Sequence, residues 1–166
     1  MRNIKILLAL LVMWTTSSSL FAADDSDGIQ KVVYQCDFAN PKRVHLMLNT
    51  LNNLVAHNQK NLVDFDIAVV ALGPCLQYVM KNFKGTGFVG KPYLTHGGPA
   101  GNGTTGRLKA LKIQAGDNIT IFACENTMDK KNVKKEQLLD IVKTTPGGIL
   151  KIIELESKGY AYIKIM

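Results

Sequence analysis

Three cysteines, Cys36, Cys75 and Cys124, offer the most direct chemistry in this chain of 166 residues. A thiol acts as nucleophile, redox partner or metal ligand, and the thiolate is its reactive form. No two of the three stand in CxxC or CxxCH spacing, which argues against a thioredoxin-type pair and a haem attachment motif. An odd number leaves at least one thiol unpaired within a monomer. Cys124 ends the apolar run 119–123, and Asn126 and Thr127 follow it as candidate supporting groups. Lys130 and Lys131 lie a turn further on, and cations favour a thiolate. Cys75 follows Pro74 in the first turn of an expected helix, where unpaired N–H groups favour negative charge. Cys36 closes a short β-branched and aromatic run. Each cysteine also has a plainer role open to it, since a free cysteine often serves as a small apolar filler. A disulfide between Cys36 and Cys75 is a further option, provided that their Cα atoms come within about 7 Å.

Other chemistries fit poorly. Residues 85–90 (GTGFVG) and 101–106 (GNGTTG) both match GxGxxG. A dinucleotide fingerprint needs a strand before the glycines and a helix opening within them. The first match follows an expected helix and runs into Lys91 and Pro92. The second lacks a preceding strand and an acidic residue about 20 positions on. Residues 85–91 match GxxxxGK, but Pro92 stands where a Ser or Thr would bind the metal ion. His96-Gly97-Gly98 resembles an esterase oxyanion loop. Beyond residue 22 the only serines are Ser26 and Ser157, neither in a GxSxG elbow, so a serine hydrolase is rejected. His45 and His57 fall on the polar face of an expected helix, and His96 falls in a glycine-rich stretch that could reach the thiol edge. No ligand pair has the short spacing of a metal site, so neither a metal nor a cofactor is expected. Asp64 and Asp66 flank a strand start at the edge opposite the thiols and carry no expected catalysis.

The elements that must position the thiols can be read from apolar patterning. Strands are expected at 31–36, 66–72, 119–123, 141–144 and 160–165. The second is a near-continuous apolar run, as in a strand buried on both faces. The first helix opens on Asn40-Pro41, an N-cap followed by proline, and runs to about His57. Val44, Met47, Leu48, Leu51, Leu54 and Val55 form its apolar face. A second helix follows Pro74, with Leu76, Val79, Met80 and Phe83 apolar. Residues 84–106 hold eight of the 14 glycines plus Pro92 and Pro99, so they read as a glycine-rich insert, either a functional flap or a disordered segment. A third helix covers about 105–114. A lysine-rich helical stretch follows Cys124, and a last helix starts at Pro146 and stops at Gly159. Strands alternating with helices predict an α/β fold, a three-layer α/β/α sandwich around a mainly parallel five-stranded sheet. In a parallel sheet all three cysteines reach the C-terminal edge, where open α/β sheets bind ligands. The spacing does not decide whether they touch.

Residues 1–22 read as a cleaved signal peptide. Arg2 and Lys5 precede an apolar run at 6–14 and a small-residue stretch ending at Ala22. The run is shorter than the roughly 20 residues that span a membrane. Residues 23–166 then form one domain, in a periplasmic setting with no membrane attachment after cleavage. Loss of Arg2 and Lys5 lowers the net charge from +7 to +5 and leaves Arg43 and Arg107 as the remaining arginines. Nucleic-acid sites lean on arginine forks interleaved with aromatics, so no nucleic-acid partner is expected. The Lys130, Lys131, Lys134 and Lys135 cluster reads as a solvated face.

Four segments, KVVYQCDF (31–38), DIAVVALGP (66–74), ITIFACENTM (119–128) and GYAYIKI (159–165), fall in an order that resembles the DsrE/DsrF-like (YchN-like) family, in its small single-domain branch. The resemblance spans about residues 31–165. It implies a parallel five-stranded α/β fold and homo-oligomers, commonly trimers or hexamers. In sulfur-relay members a cysteine after a central strand carries sulfane sulfur as a persulfide and passes it to a partner, and Cys124 matches that position. The resemblance gives no role to Cys36 or Cys75. The insert at 84–106 departs from the family's usual shorter connection, and the signal peptide departs because the best-understood relay proteins are cytoplasmic. Two functions follow as expectations: a periplasmic sulfur carrier or transferase acting through Cys124 with a donor or acceptor protein, or a non-catalytic oligomeric binding protein with structural cysteines. Trp14 is the only tryptophan, so cleavage after Ala22 predicts an exported protein without indole fluorescence. An indole emission band from that protein would place the cut elsewhere.

Overall fold

A computed structural model describes residues 28–89 and 103–166 of the chain. The expected signal peptide, His96 and most of the glycine-rich insert lie outside the described residues. Five apolar runs form one sheet of five parallel strands: β1 (Gln30–Cys36), β2 (Phe65–Ala71), β3 (Ile119–Cys124), β4 (Val142–Thr145) and β5 (Ala161–Lys164), in the order β4-β3-β2-β1-β5. The helices are α1 (Pro41–Asn61), α2 (Thr104–Ala115), α3 (Glu125–Lys130) and α4 (Gly148–Glu156). The architecture is the expected α/β sandwich.

Chain direction decides which face each helix covers. From β1 to β4 every step moves the same way across the sheet. A right-handed crossover therefore keeps the intervening helices on one side. There Val44, Met47, Leu48, Leu51 and Val55 of α1 pack with Leu108 and Leu111 of α2 and with Val32, Tyr34, Ile67, Val69, Ile119 and Ile121 of the sheet. From β4 to β5 the chain doubles back over the full width of the sheet. The same handedness rule puts α4 on the opposite face, where Ile152 and Leu155 pack on Val33, Ala68 and Val70.

The N-terminus of α1 follows the reading from Asn40 and Pro41. The Asn40 side chain accepts the Lys42 N–H at 2.9 Å, satisfying a donor that the first helical turn leaves free. The helix continues past His57 to Asn61, because Asn58 is buried and donates to Gln30 at 2.6 Å.

Three expectations need correction. The segment after Pro74 is a 3₁₀ helix, Gly73–Val79, not an α-helix. Cys75 through Val79 are all buried, so no solvent face exists for an amphipathic helix. Met80 is already extended and bridges Leu138. Beyond Cys124 the lysine-rich helix is only the six residues of α3; Asn132, with φ of 51°, turns the chain, and a 3₁₀ turn at Lys135–Gln137 follows. The last helix begins at Gly148 rather than Pro146.

Cys36 and Cys75 are joined in a disulfide with a Cα–Cα distance of 5.6 Å. Both are buried in the core on the α1 side. The bond ties the end of β1 to the first turn of the 3₁₀ helix, 39 residues later. Closing a loop of that length removes denatured-state entropy worth about 4 kcal/mol. Replacing both cysteines with serine is expected to lower unfolding free energy by about that amount in a urea titration. Non-reducing peptide mapping should recover the Cys36–Cys75 link with Cys124 free.

Candidate thiol site at the sheet edge

Alternation along β3 sends Ile119, Ile121 and Ala123 into the α1 side. Phe122 points to the α4 side, and Cys124, two residues on, shares that side. Cys36 and Cys75 lie on the other face. All three cysteines thus reach the C-terminal edge, but the sheet separates the disulfide from the remaining thiol.

The place of Cys124 follows from topology. β3 and β4 are neighbours, with Cys124 opposite Thr145. The chain leaves β3 into α3, whose Met128 joins the core on the α1 side. It leaves β4 through Pro146 and Gly147 into α4 on the opposite side. Adjacent strands whose exits part to opposite faces make a topological switch point, the position at which open parallel sheets bind ligands. Cys124 sits in that opening as the N-cap residue of α3, yet its side chain makes no capping hydrogen bond.

The sulfur's partner comes from α4. The Gly148 N–H, in the first turn of that helix, donates to Cys124 Sγ at 3.2 Å. Helix N-termini carry unpaired N–H groups and the positive end of the helix dipole. Glycine favours so close an approach. A Cβ on Gly148 would lie 3.1 Å from Leu72 Cβ, 3.2 Å from Cys124 Cβ and 3.5 Å from its sulfur. Cys124 is a free thiol and only 5% exposed.

The other residues singled out from sequence surround this core of the site. Thr127 Oγ1 accepts the Gly73 N–H at 2.9 Å and so fastens α3 to the start of the 3₁₀ helix. The Asn126 side chain is exposed, and its backbone N–H donates to the Pro146 carbonyl at 3.4 Å. Lys131 lies over the Phe88 ring, 5.8 Å from its centroid. Gly148 and Thr145 were not legible as site residues. The Pro146-Gly147-Gly148 run carried the available signal, a close backbone approach.

A second cleft, of about 510 Å³, opens at the same edge beside β1 and β5 and is lined by Asp37, Phe38, Asn40, Arg43, Pro74 and Lys164. Tyr162 donates to Gln35, and Gln35 and Lys164 both donate to Asp37, at 2.7, 2.8 and 2.7 Å. Burial opposes ionisation of Asp37, but these hydrogen bonds and the charges of Lys164 and Arg43 outweigh it and hold the carboxyl below its usual range. Elsewhere, Arg107 lies 2.9 Å from His45 Nδ1, and Asp64 and Asp66 line a cleft at the opposite sheet edge. Among the described residues no group of three His, Cys, Asp or Glu side chains is placed to hold a metal ion.

Fold and site together define an all-parallel α/β sandwich with a single free thiol at its switch point. Among solved structures, the chain is similar to a protein of unknown function, MTH1491, from Methanobacterium thermoautotrophicum. That match has 23% identity and a TM-score of 0.61, over 81% of this chain and 98% of the other. It is also similar to the ychN protein of E. coli, at 17% identity and a TM-score of 0.51, again over 81% and 98%. These likenesses establish the DsrE/YchN-like fold. Neither a protein-family model nor a curated protein matches the chain.

Gly148→Ala tests the close approach. The added methyl meets Leu72 and Cys124 at contacts tighter than ordinary packing, so a loss of about 1–3 kcal/mol is expected on denaturant unfolding. Cys124→Ala in the same chain should recover little of it, because the contacts with Leu72 Cβ and Cys124 Cβ both remain and only the sulfur at 3.5 Å is removed. A fully stable Gly148→Ala protein would show that the turn has slack.

Proposed function

We propose that this protein handles sulfane sulfur in the periplasm, with Cys124 as the acceptor. One observation carries the reading: the only cysteine left free beside the disulfide lies at the switch point, with the Gly148 N–H 3.2 Å from its sulfur. The thiol attacks the terminal sulfur of a persulfide donor, the donor's S–S bond breaks, and the donor leaves as a thiol. Cys124 then holds the transferred sulfur as Cys–S–SH. Attack by an acceptor thiol on that outer sulfur reverses the process and regenerates Cys124. Neither step needs a metal or an external oxidant. Transfer requires the 146–148 turn to swing away from the sulfur, because Cys124 is 5% exposed.

Export is supported by the leader pattern at 1–22 and by the buried Cys36–Cys75 bond, since disulfides persist in oxidising compartments. Among the described residues no helix is long and apolar enough to cross a membrane. Self-assembly, implied by the family resemblance, belongs to the same proposal, as does a protein donor or acceptor of the sulfur.

The low exposure of Cys124 favours a second reading, a non-catalytic binding protein in which this cysteine fills space beneath α4. Incubation with a small persulfide donor, followed by intact-mass measurement, separates the two. A gain of one sulfur, absent in Cys124→Ser, is expected for the carrier. A gain retained in full by Cys124→Ser rejects the assignment. An unmodified native protein whose thiol reacts only after denaturation supports the packing role.

A further inference from the structure

We infer that the outward face of α4 is the surface on which a second copy of this chain docks. Ile152 and Leu155 turn α4 into the core, yet Ile149, Leu150 and Ile153 on its far side are 51%, 67% and 57% exposed. Tyr162 of the edge strand β5 is 42% exposed on the same face of the sheet. A helix that is apolar on both its inner and outer sides is ordinarily buried on both.

The sheet gives an independent reason. Purely parallel sheets occur almost only with both faces covered. Here α1, α2, α3 and the 3₁₀ helix cover one face, and among the described residues α4 alone covers the other. An α-helix with its side chains is about 10 Å wide, against five strands that span roughly 19 Å, and the buried contacts of this nine-residue helix centre on β1 and β2.

Charge and area point to a like copy. The chain carries +7 overall, or +5 without Arg2 and Lys5 of the leader, so two copies repel unless they meet where local charge vanishes. On α4 it does: Lys151 and Lys158 both close on Glu154 at 2.6 Å, and Glu156 supplies a second carboxylate. A neutral apolar patch is complementary to itself, which suits an isologous contact. Four large side chains about half exposed present on the order of 400 Å² of apolar surface. A polar rim of similar size would bring each partner to the roughly 800 Å² of a stable interface. Because α4 also supplies the Gly148 amide, the contact would hold the helix that covers Cys124.

This inference rests on the proposal that the chain self-assembles, not on its sulfur chemistry. Sedimentation velocity of the protein as the cell processes it is expected to show an even-numbered assembly. The double variant Leu150→Glu, Ile153→Glu should halve its mass while keeping the circular dichroism spectrum and the Cys36–Cys75 link. A wild-type protein that is monomeric at every concentration overturns both self-assembly and this surface, including when it instead binds anionic lipid vesicles through α4. An odd-numbered assembly, or an unchanged mass in the folded double variant, overturns the surface alone. Should the double variant not fold, Leu150→Cys gives the second measurement. Oxidation is expected to crosslink it into dimers, and their absence overturns the surface.

Discussion

The handedness of a strand–helix–strand crossover constrains most of this molecule. Four strands laid down in one direction oblige their connections to share a face. The return from β4 to β5 obliges α4 to take the other. That reversal creates the opening between the exits of β3 and β4. It also brings the first N–H of α4 against a side chain at the end of β3, because the chain leaves β4 next to Cys124 and turns over it. The Gly148–Cys124 contact is thus a local consequence of a global rule.

Strand parity then sorts the cysteines. Cys36 ends a strand on the side that α1 and the 3₁₀ helix cover, and Cys75 opens that 3₁₀ helix, so these two pair. Cys124 ends its strand on the other side and stays free. The disulfide anchors the core under the edge of the sheet and the thiol faces the thinly covered layer. A one-residue shift in the β3 register would turn Cys124 to the α1 side instead, since alternate residues point to opposite faces.

Among the described residues, coverage of the two faces is unequal. The α1 side has a deep apolar core, while the α4 side rests on Ile152, Leu155 and their few neighbours. Elements with few buried contacts open most readily. A thiol beneath such a helix is closed in the resting fold but held by one of its lighter parts. A partner seated on α4, as proposed, would change how readily the sulfur is uncovered.

Composition and periodicity alone determined the strands, the first helix with its Asn40-Pro41 start, the parallel α/β class and the arrival of three cysteines at one edge. These depend on neighbouring residues and on a handedness that holds for nearly all chains. Tertiary structure alone decided the rest. The segment after Pro74 became a 3₁₀ helix because both its sides are buried, which periodicity within a short window does not reveal. The pairing of Cys36 with Cys75 depended on a distance across 39 residues. The role of Gly148 depended on a contact between β3 and α4, 24 residues apart, where a missing side chain lets a backbone N–H reach a sulfur. In sequence, a glycine admitted for close approach looks the same as one that only turns the chain.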